Sequence, residues 1–359
     1  MKKILFASYS LDVGGIETAL VTLLKYLSSE YDITLMLERK QGIFLEQIPS
    51  NVNIITYEAD KSKNKIARKL KNFIKQLRFK MKYKNKFDFS ACYATYSFPC
   101  SFVARTASKN CVLWVHNNYM DFYNNNIFQY RKFFKDLHIE DYRKIVFVSS
   151  LDEKVFKAQF PEYIKKAVVC HNLINYKDVL KKANEDVDDF KKSDITTFIN
   201  IGRHDEKQKK ISRIISATRR LNKEGYKFRV VLVGKGSATK EYMNLSRGIK
   251  NIDFLGAKKN PYPYLKNSDC LLLSSQFEGY PVVFVESYIL NKPIVTTDVS
   301  DAKIDVENKH GIVCENSEKG VYEGMKKFLE EGFETEKFDP ENYNKEIVKK
   351  IEELIDKKG

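Results

Sequence analysis

Short runs of consecutive apolar residues recur along the chain, separated by longer stretches in which apolar positions return every three or four residues. In the first half the runs fall at 3–7, 33–37, 52–57, 89–95, 111–115, 145–148 and 167–170. In the second half they fall at 197–201, 228–233, 252–255, 270–273, 294–297 and 312–314. Runs this short, β-branched and without polar alternation describe strands covered on both faces, as in a parallel sheet with helices packed on each side. Two such series predict an α/β chain of two Rossmann-like domains. The expected division is 1–175 for the first domain, a polar, charge-rich linker over 176–195, and 196–335 for the second. In the tail, 336–359, Ile347, Ile351, Leu354 and Ile355 recur at helical spacing. They predict an amphipathic helix packing back on the first domain.

At 359 residues the chain exceeds the usual single-domain size, and 43% hydrophobic content is enough for two cores, which excludes a disordered chain. The apolar start at 3–7 meets Ser8, Ser10 and Asp12, too soon for a signal peptide. No stretch approaches the roughly 18–20 apolar residues of a membrane span. Cys92, Cys100, Cys111, Cys170, Cys270 and Cys314 show no paired spacing and mostly sit in apolar runs, as reduced thiols of a cytoplasmic protein do.

Charge changes the picture. A net charge of +15 calls for an anionic partner: nucleic acid, acidic lipid or phosphorylated small molecules. Neither a nucleic-acid module nor interleaved stacking aromatics is present, which argues against nucleic acid. Residues 61–86 hold twelve basic residues and no acid, with Ile66, Leu70, Phe73, Leu77 and Met81 at three- and four-residue steps. Such a helix suits an anionic membrane surface, peripherally on the inner face. An ordinary helix with its stripe on its own sheet is the alternative.

Three segments carry candidate chemistry. Asp12-Val13-Gly14-Gly15 follows the first strand, where a glycine pair can turn the chain and present bare amides to an anion at a helix start; a plain tight turn is the bland reading. Gly202-Arg203-His204 leads into Lys207, Lys209 and Lys210 after the first strand of the second half. A guanidinium at a strand end with lysines entering the next helix can clamp a diphosphate, or can be a solvated basic turn. Glu278-Gly279-Tyr280-Pro281 begins a segment that ends on Glu286, with Pro281 suited to a first helical turn. Eight steps of about 100° bring the second acid about 80° past two turns, so both can face one cleft if Glu278 lies just before the helix. Asp186-Val187-Asp188 fits a metal-binding Asp-x-Asp by letter but lies in the charged linker, without a buried strand before it. His138, His171, His204 and His310 form no metal-ligand spacing, so no metal site is expected.

The order of these segments, with His116 after a mid-domain strand and Gly234-Lys235-Gly236, resembles the family 4 glycosyltransferases, retaining enzymes of the GT-B fold whose two Rossmann-like domains face each other across a cleft. The likeness is densest over 196–329, where Glu-x7-Glu is followed by Lys292-Pro293-Ile294-Val295-Thr296-Thr297-Asp298. It implies that Glu286 accepts hydrogen bonds from the nucleotide ribose and Glu278 binds donor-sugar hydroxyls. Arg203 and Lys209, or Lys207 or Lys210 in its place, would neutralise the diphosphate; Gly14 and Gly15 would close on the phosphates, and His116 would lie beside the reacting centre. Gly234, Gly279 and Tyr280 join the donor site on the same basis. The sequence departs from the pattern at Asn291, where a small residue is usual, and at Asp298-Val299-Ser300-Asp301-Ala302, where the family has a glycine-rich turn. The expected reaction is metal-independent transfer from a UDP-sugar to a polyprenyl-diphosphate-linked saccharide in bacterial surface polysaccharide synthesis. A sugar-nucleotide epimerase and a non-catalytic sugar-nucleotide-binding protein are the alternatives of the same fold.

Overall fold

The computed structural model describes residues 1–12 and 14–356. The chain divides into two compact units, Met1–Leu173 joined by the residues from Asn344 on, and Ile174–Tyr343. In the first, seven strands run parallel: β1 (Lys3–Ser8), β2 (Asp32–Leu37), β3 (Asn53–Thr56), β4 (Phe89–Cys92), β5 (Cys111–Val115), β6 (Lys144–Phe147) and β7 (Ala167–Val169). Their order is β3-β2-β1-β4-β5-β6-β7. The second has β8 (Thr197–Ile201), β9 (Arg229–Val233), β10 (Ile252–Gly256), β11 (Cys270–Leu273), β12 (Ile294–Thr297) and β13 (Gly311–Cys314), all parallel, in the order β10-β9-β8-β11-β12-β13. Strand order reverses beside β1 and beside β8, and the crevice such a reversal opens at the strands' carboxyl ends is where doubly wound sheets hold ligands.

The central runs became strands covered on both faces: Ile4 to Ala7, Val112 to Val115 and Leu271 to Leu273 are buried, whereas the edge strands β3 and β10 are only partly covered. One expectation needs correction, and so does the alternative offered for the basic helix. Residues 176–182 are not linker but a helix, Tyr176–Lys182, capped by Asn175 and packed on helix Val282–Ile289 of the same unit. The basic helix Lys65–Tyr83 does not turn its stripe inward: Ile66, Leu70, Phe73, Leu77 and Met81 are all exposed. Its anchor is Phe79, buried against Tyr57, Tyr83 and Phe102 at ring distances of 5.2, 4.9 and 5.9 Å. The tail helix spans Pro340–Asp356, and Lys357 and Lys358 of the expected helix lie outside the described residues. Its Ile347, Ile351, Leu354 and Ile355 are buried. Asn110 donates to the Leu354 and Ile355 carbonyls at 3.3 and 3.0 Å and Arg143 to Leu354 at 2.6 Å, satisfying the helix end with a cation. Among the described residues no helix is long and apolar enough to cross a membrane.

Candidate functional site

The second unit gathers its candidates where β8 and β11 end. Gly234 explains the tight packing there: its φ is +152°, and a Cβ on it would overlap the Gly202 carbonyl. Beyond β8 the loop 203–210 is bound to the loop after β11: Gln276 N–H donates to the Gln208 carbonyl at 2.7 Å, and Ser274 Oγ bonds the Lys209 and Lys210 carbonyls, each at 2.9 Å. Lys210, at φ 50°, turns the chain into helix Ile211–Lys223.

That bracing aims Lys209 at Glu278. Its Nζ lies 2.6 Å from Glu278 Oε1, which also accepts from Ser275 Oγ at 2.6 Å, while Gln208 Nε2 donates to Oε2 at 3.3 Å. Lys210 instead pairs with Glu206 at 3.7 Å, and Lys207 is exposed. Arg203 is exposed and, among the described residues, held by Gln208 at 3.1 Å and Asp205 at 4.0 Å. The site thus has one buried, fully engaged carboxylate with a lysine on it and an exposed guanidinium tied to the same loop.

Glu286 sits on helix Val282–Ile289, with Glu278 before the helix, as the spacing requires. It is 8% exposed, and Tyr262 donates to its Oε1 at 3.1 Å. Burial pushes its carboxyl up to about 7, against the pull of the Tyr262 hydroxyl. The Tyr280 ring is buried and its hydroxyl donates to Asp305 at 2.9 Å, so what it could offer a ligand is backbone; the Gly279 carbonyl accepts from Ser300 Oγ. The two departures have local causes: Asn291 and Ser300 take φ of 51° and 53°, left-handed positions that glycine or asparagine commonly fill. Tyr262 was not foreseen, since only the sheet order brings it to Glu286.

In the first unit Gly14 caps helix Gly15–Leu27 with φ −177°, an extended conformation open to any residue, so no sharp glycine turn is made there. What needs a small residue is Glu17, whose carboxylate lies where a Gly14 Cβ would go. The helix start is therefore not bare: an acid of its own first turn stands at it. Val13 of this motif lies outside the described residues. His116 follows β5 with its ring 4.3 Å from that of Tyr93, both ring nitrogens buried and without a hydrogen-bond partner among the described residues. Burial depresses its pKa to about 3, so the imidazole is neutral.

Away from the strand ends, Asp186 and Asp188 are exposed outside regular structure. His138, Glu140 and Asp141 converge within 4.8 Å on the surface, where Arg105 bonds Asp141 at 2.7 Å. His204 is buried, its Nδ1 3.0 Å from Thr239 Oγ1, a core histidine. A hollow of about 370 Å³ in the first unit, beside Lys2, Asp88 and Asn110, lies at the opposite, amino end of the strands.

Residues 195–331 match the family described as Glycosyl transferases group 1. The chain is 25% identical over 353 residues, 92% of its length and 91% of the other's, to an N-acetylgalactosaminyltransferase of Campylobacter jejuni that acts on a diacetylbacillosaminyl-diphospho-undecaprenol saccharide. It is 27% identical over 200 residues to an uncharacterized glycosyltransferase of Methanocaldococcus jannaschii, a match spanning about half of that protein (48%) and 52% of this one. In fold it resembles Anabaena HepE solved with UDP and glucose, at a TM-score of 0.73 and 15% identity over 98% of this chain and 100% of that one. The molecule is an α/β protein of the GT-B fold. It is a glycosyltransferase, similar to family 4, with the matched domain in its second unit.

Proposed function

We propose that this chain is a retaining glycosyltransferase that works without a divalent metal. Its donor is a nucleotide-diphosphate sugar, with UDP as the nucleotide and a hexose or N-acetylhexosamine as the sugar. Its acceptor is a polyprenyl-diphosphate-linked saccharide at the cytoplasmic face of a bacterial membrane, during assembly of a surface polysaccharide. The Campylobacter relative's undecaprenyl-diphosphate acceptor and the UDP bound to HepE support these choices.

The observation that carries the reading is the Lys209–Glu278 pair at the β8/β11 reversal, with exposed Arg203 next to it. An arriving diphosphate competes for Lys209 and Arg203, and releases Glu278 to accept from the sugar's hydroxyls. The bond from the anomeric carbon to the diphosphate oxygen then breaks, its electron pair staying on phosphate. The acceptor oxygen bonds to the same face of the carbon, and its proton passes to an oxygen of the leaving phosphate. Charge that builds on that phosphate meets cations already in place, the arrangement that stabilises such transition states most. Within the first unit, the Gly14 and Gly15 amides can hold an anion once Glu17 withdraws, and neutral His116 can hydrogen-bond a hydroxyl without adding charge.

The exposed stripe of helix Lys65–Tyr83, flanked by lysines, supplies the membrane contact. Each cation near anionic headgroups contributes about 1 kcal/mol.

Arg203→Ala and Glu278→Ala are each expected to lose transfer by about 10²–10³-fold while staying folded by circular dichroism. NMR of the wild-type product should show the donor's anomeric configuration. Turnover retained in both variants, or inversion at the anomeric carbon, contradicts the proposal.

A further inference from the structure

Glu286 is a buried carboxylate with an incomplete set of partners. Tyr262 holds Oε1 at 3.1 Å, and no other described residue bonds the group. Its Oε2 has no partner among the described residues and is not one of the fully covered unpartnered atoms, so it is the oxygen that water or a ligand can reach. Tyr262 is itself fixed from behind: Asn260 Oδ1 accepts from its backbone N–H at 3.1 Å, and the Asn260 amide donates to the Lys182 carbonyl at 2.9 Å and to Glu185 at 2.8 Å. The segment around the helix Tyr176–Lys182 thus braces the tyrosine, with Asp178 the further charge acting on its hydroxyl.

We infer that Tyr262 is a positioning residue for the donor: by occupying Glu286 Oε1 it turns Oε2 toward the ribose hydroxyls, and so sets the preference for a ribonucleoside diphosphate. This rests on the reading of Glu286 as the ribose acceptor and adds the group that orients it. Without the phenol the carboxylate can rotate and accept less well, although nothing that touches the transferred sugar has changed.

The test is calorimetric binding of UDP and of 2′,3′-dideoxy-UDP to the full chain and to Tyr262→Phe, Glu286→Gln and Tyr264→Phe. Tyr264, whose hydroxyl donates to Asp189 at 2.6 Å, controls for loosening of the same short helix. Tyr262→Phe is expected to cut the preference for UDP over the dideoxy analogue about tenfold, equivalent to about 1.4 kcal/mol, with kcat at saturating donor little changed. Tyr264→Phe should leave the preference as in the wild type. An unaltered preference in Tyr262→Phe, or equal losses in both tyrosine variants, overturns the inference. An unaltered preference in Glu286→Gln overturns the ribose reading beneath it.

Discussion

Glu286 carries a consequence for pH. Because burial raises its carboxyl from the ordinary value of 4.5 to about 7, the native protein favours the protonated form. Its contribution to stability is fully present below 4.5 and is lost as pH rises through about 7. Ribose hydroxyls that donate to Glu286 need it ionised, so UDP affinity should rise between pH 6 and 8, by up to about tenfold per unit for one proton released. Glu286→Gln should flatten that profile; a titration as steep in the variant as in the wild type would remove the assignment. Glu278 and Glu286 could be singled out from the sequence by their place after a buried strand, although only the part of their interval from Val282 on is helical. Lys209 was not separable from Lys207 and Lys210, since the choice depends on the left-handed turn at Lys210 and on two loops being bonded together. Tyr262 was invisible for a similar reason: it lies 24 residues from Glu286, before β11 rather than after it, and only the order of the strands brings the two together.

At the scale of elements, strands read best. β8 and β11 coincide with their apolar runs, because a strand buried on both faces leaves no polar alternation to confuse its ends. Helix Tyr176–Lys182 did not read, being seven residues long and mostly charged; its existence rests on the Asn175 cap and on packing against Val282–Ile289. In helix Lys65–Tyr83 periodicity identified an apolar stripe but could not say what covers it. With that stripe exposed and Phe79 buried, the two halves of the helix surface are separable by mutation. Replacing Leu70, Phe73 and Leu77 with serine should leave the melting temperature within error and abolish sedimentation with vesicles containing anionic lipid. Phe79→Ala should cost about 3–5 kcal/mol of stability. Unchanged sedimentation of the triple variant would remove the stripe from the membrane contact.

For the whole molecule, two doubly wound sheets with their strand reversals at β1/β4 and β8/β11 put Gly14, His116, Arg203, Lys209 and Glu278 in the loops after carboxyl strand ends. Both series of strands could be read from hydrophobic pattern alone. The membership of 174–195 in the second unit could not, because it follows from which surfaces the chain covers rather than from its composition. Under the proposed mechanism Arg203 and Lys209 stand in for a divalent ion as the cations that meet the departing diphosphate. The most direct check is the rate of sugar transfer in excess EDTA, then after adding manganese. The account predicts the same rate in both. Transfer that stops with EDTA and returns with manganese would contradict it.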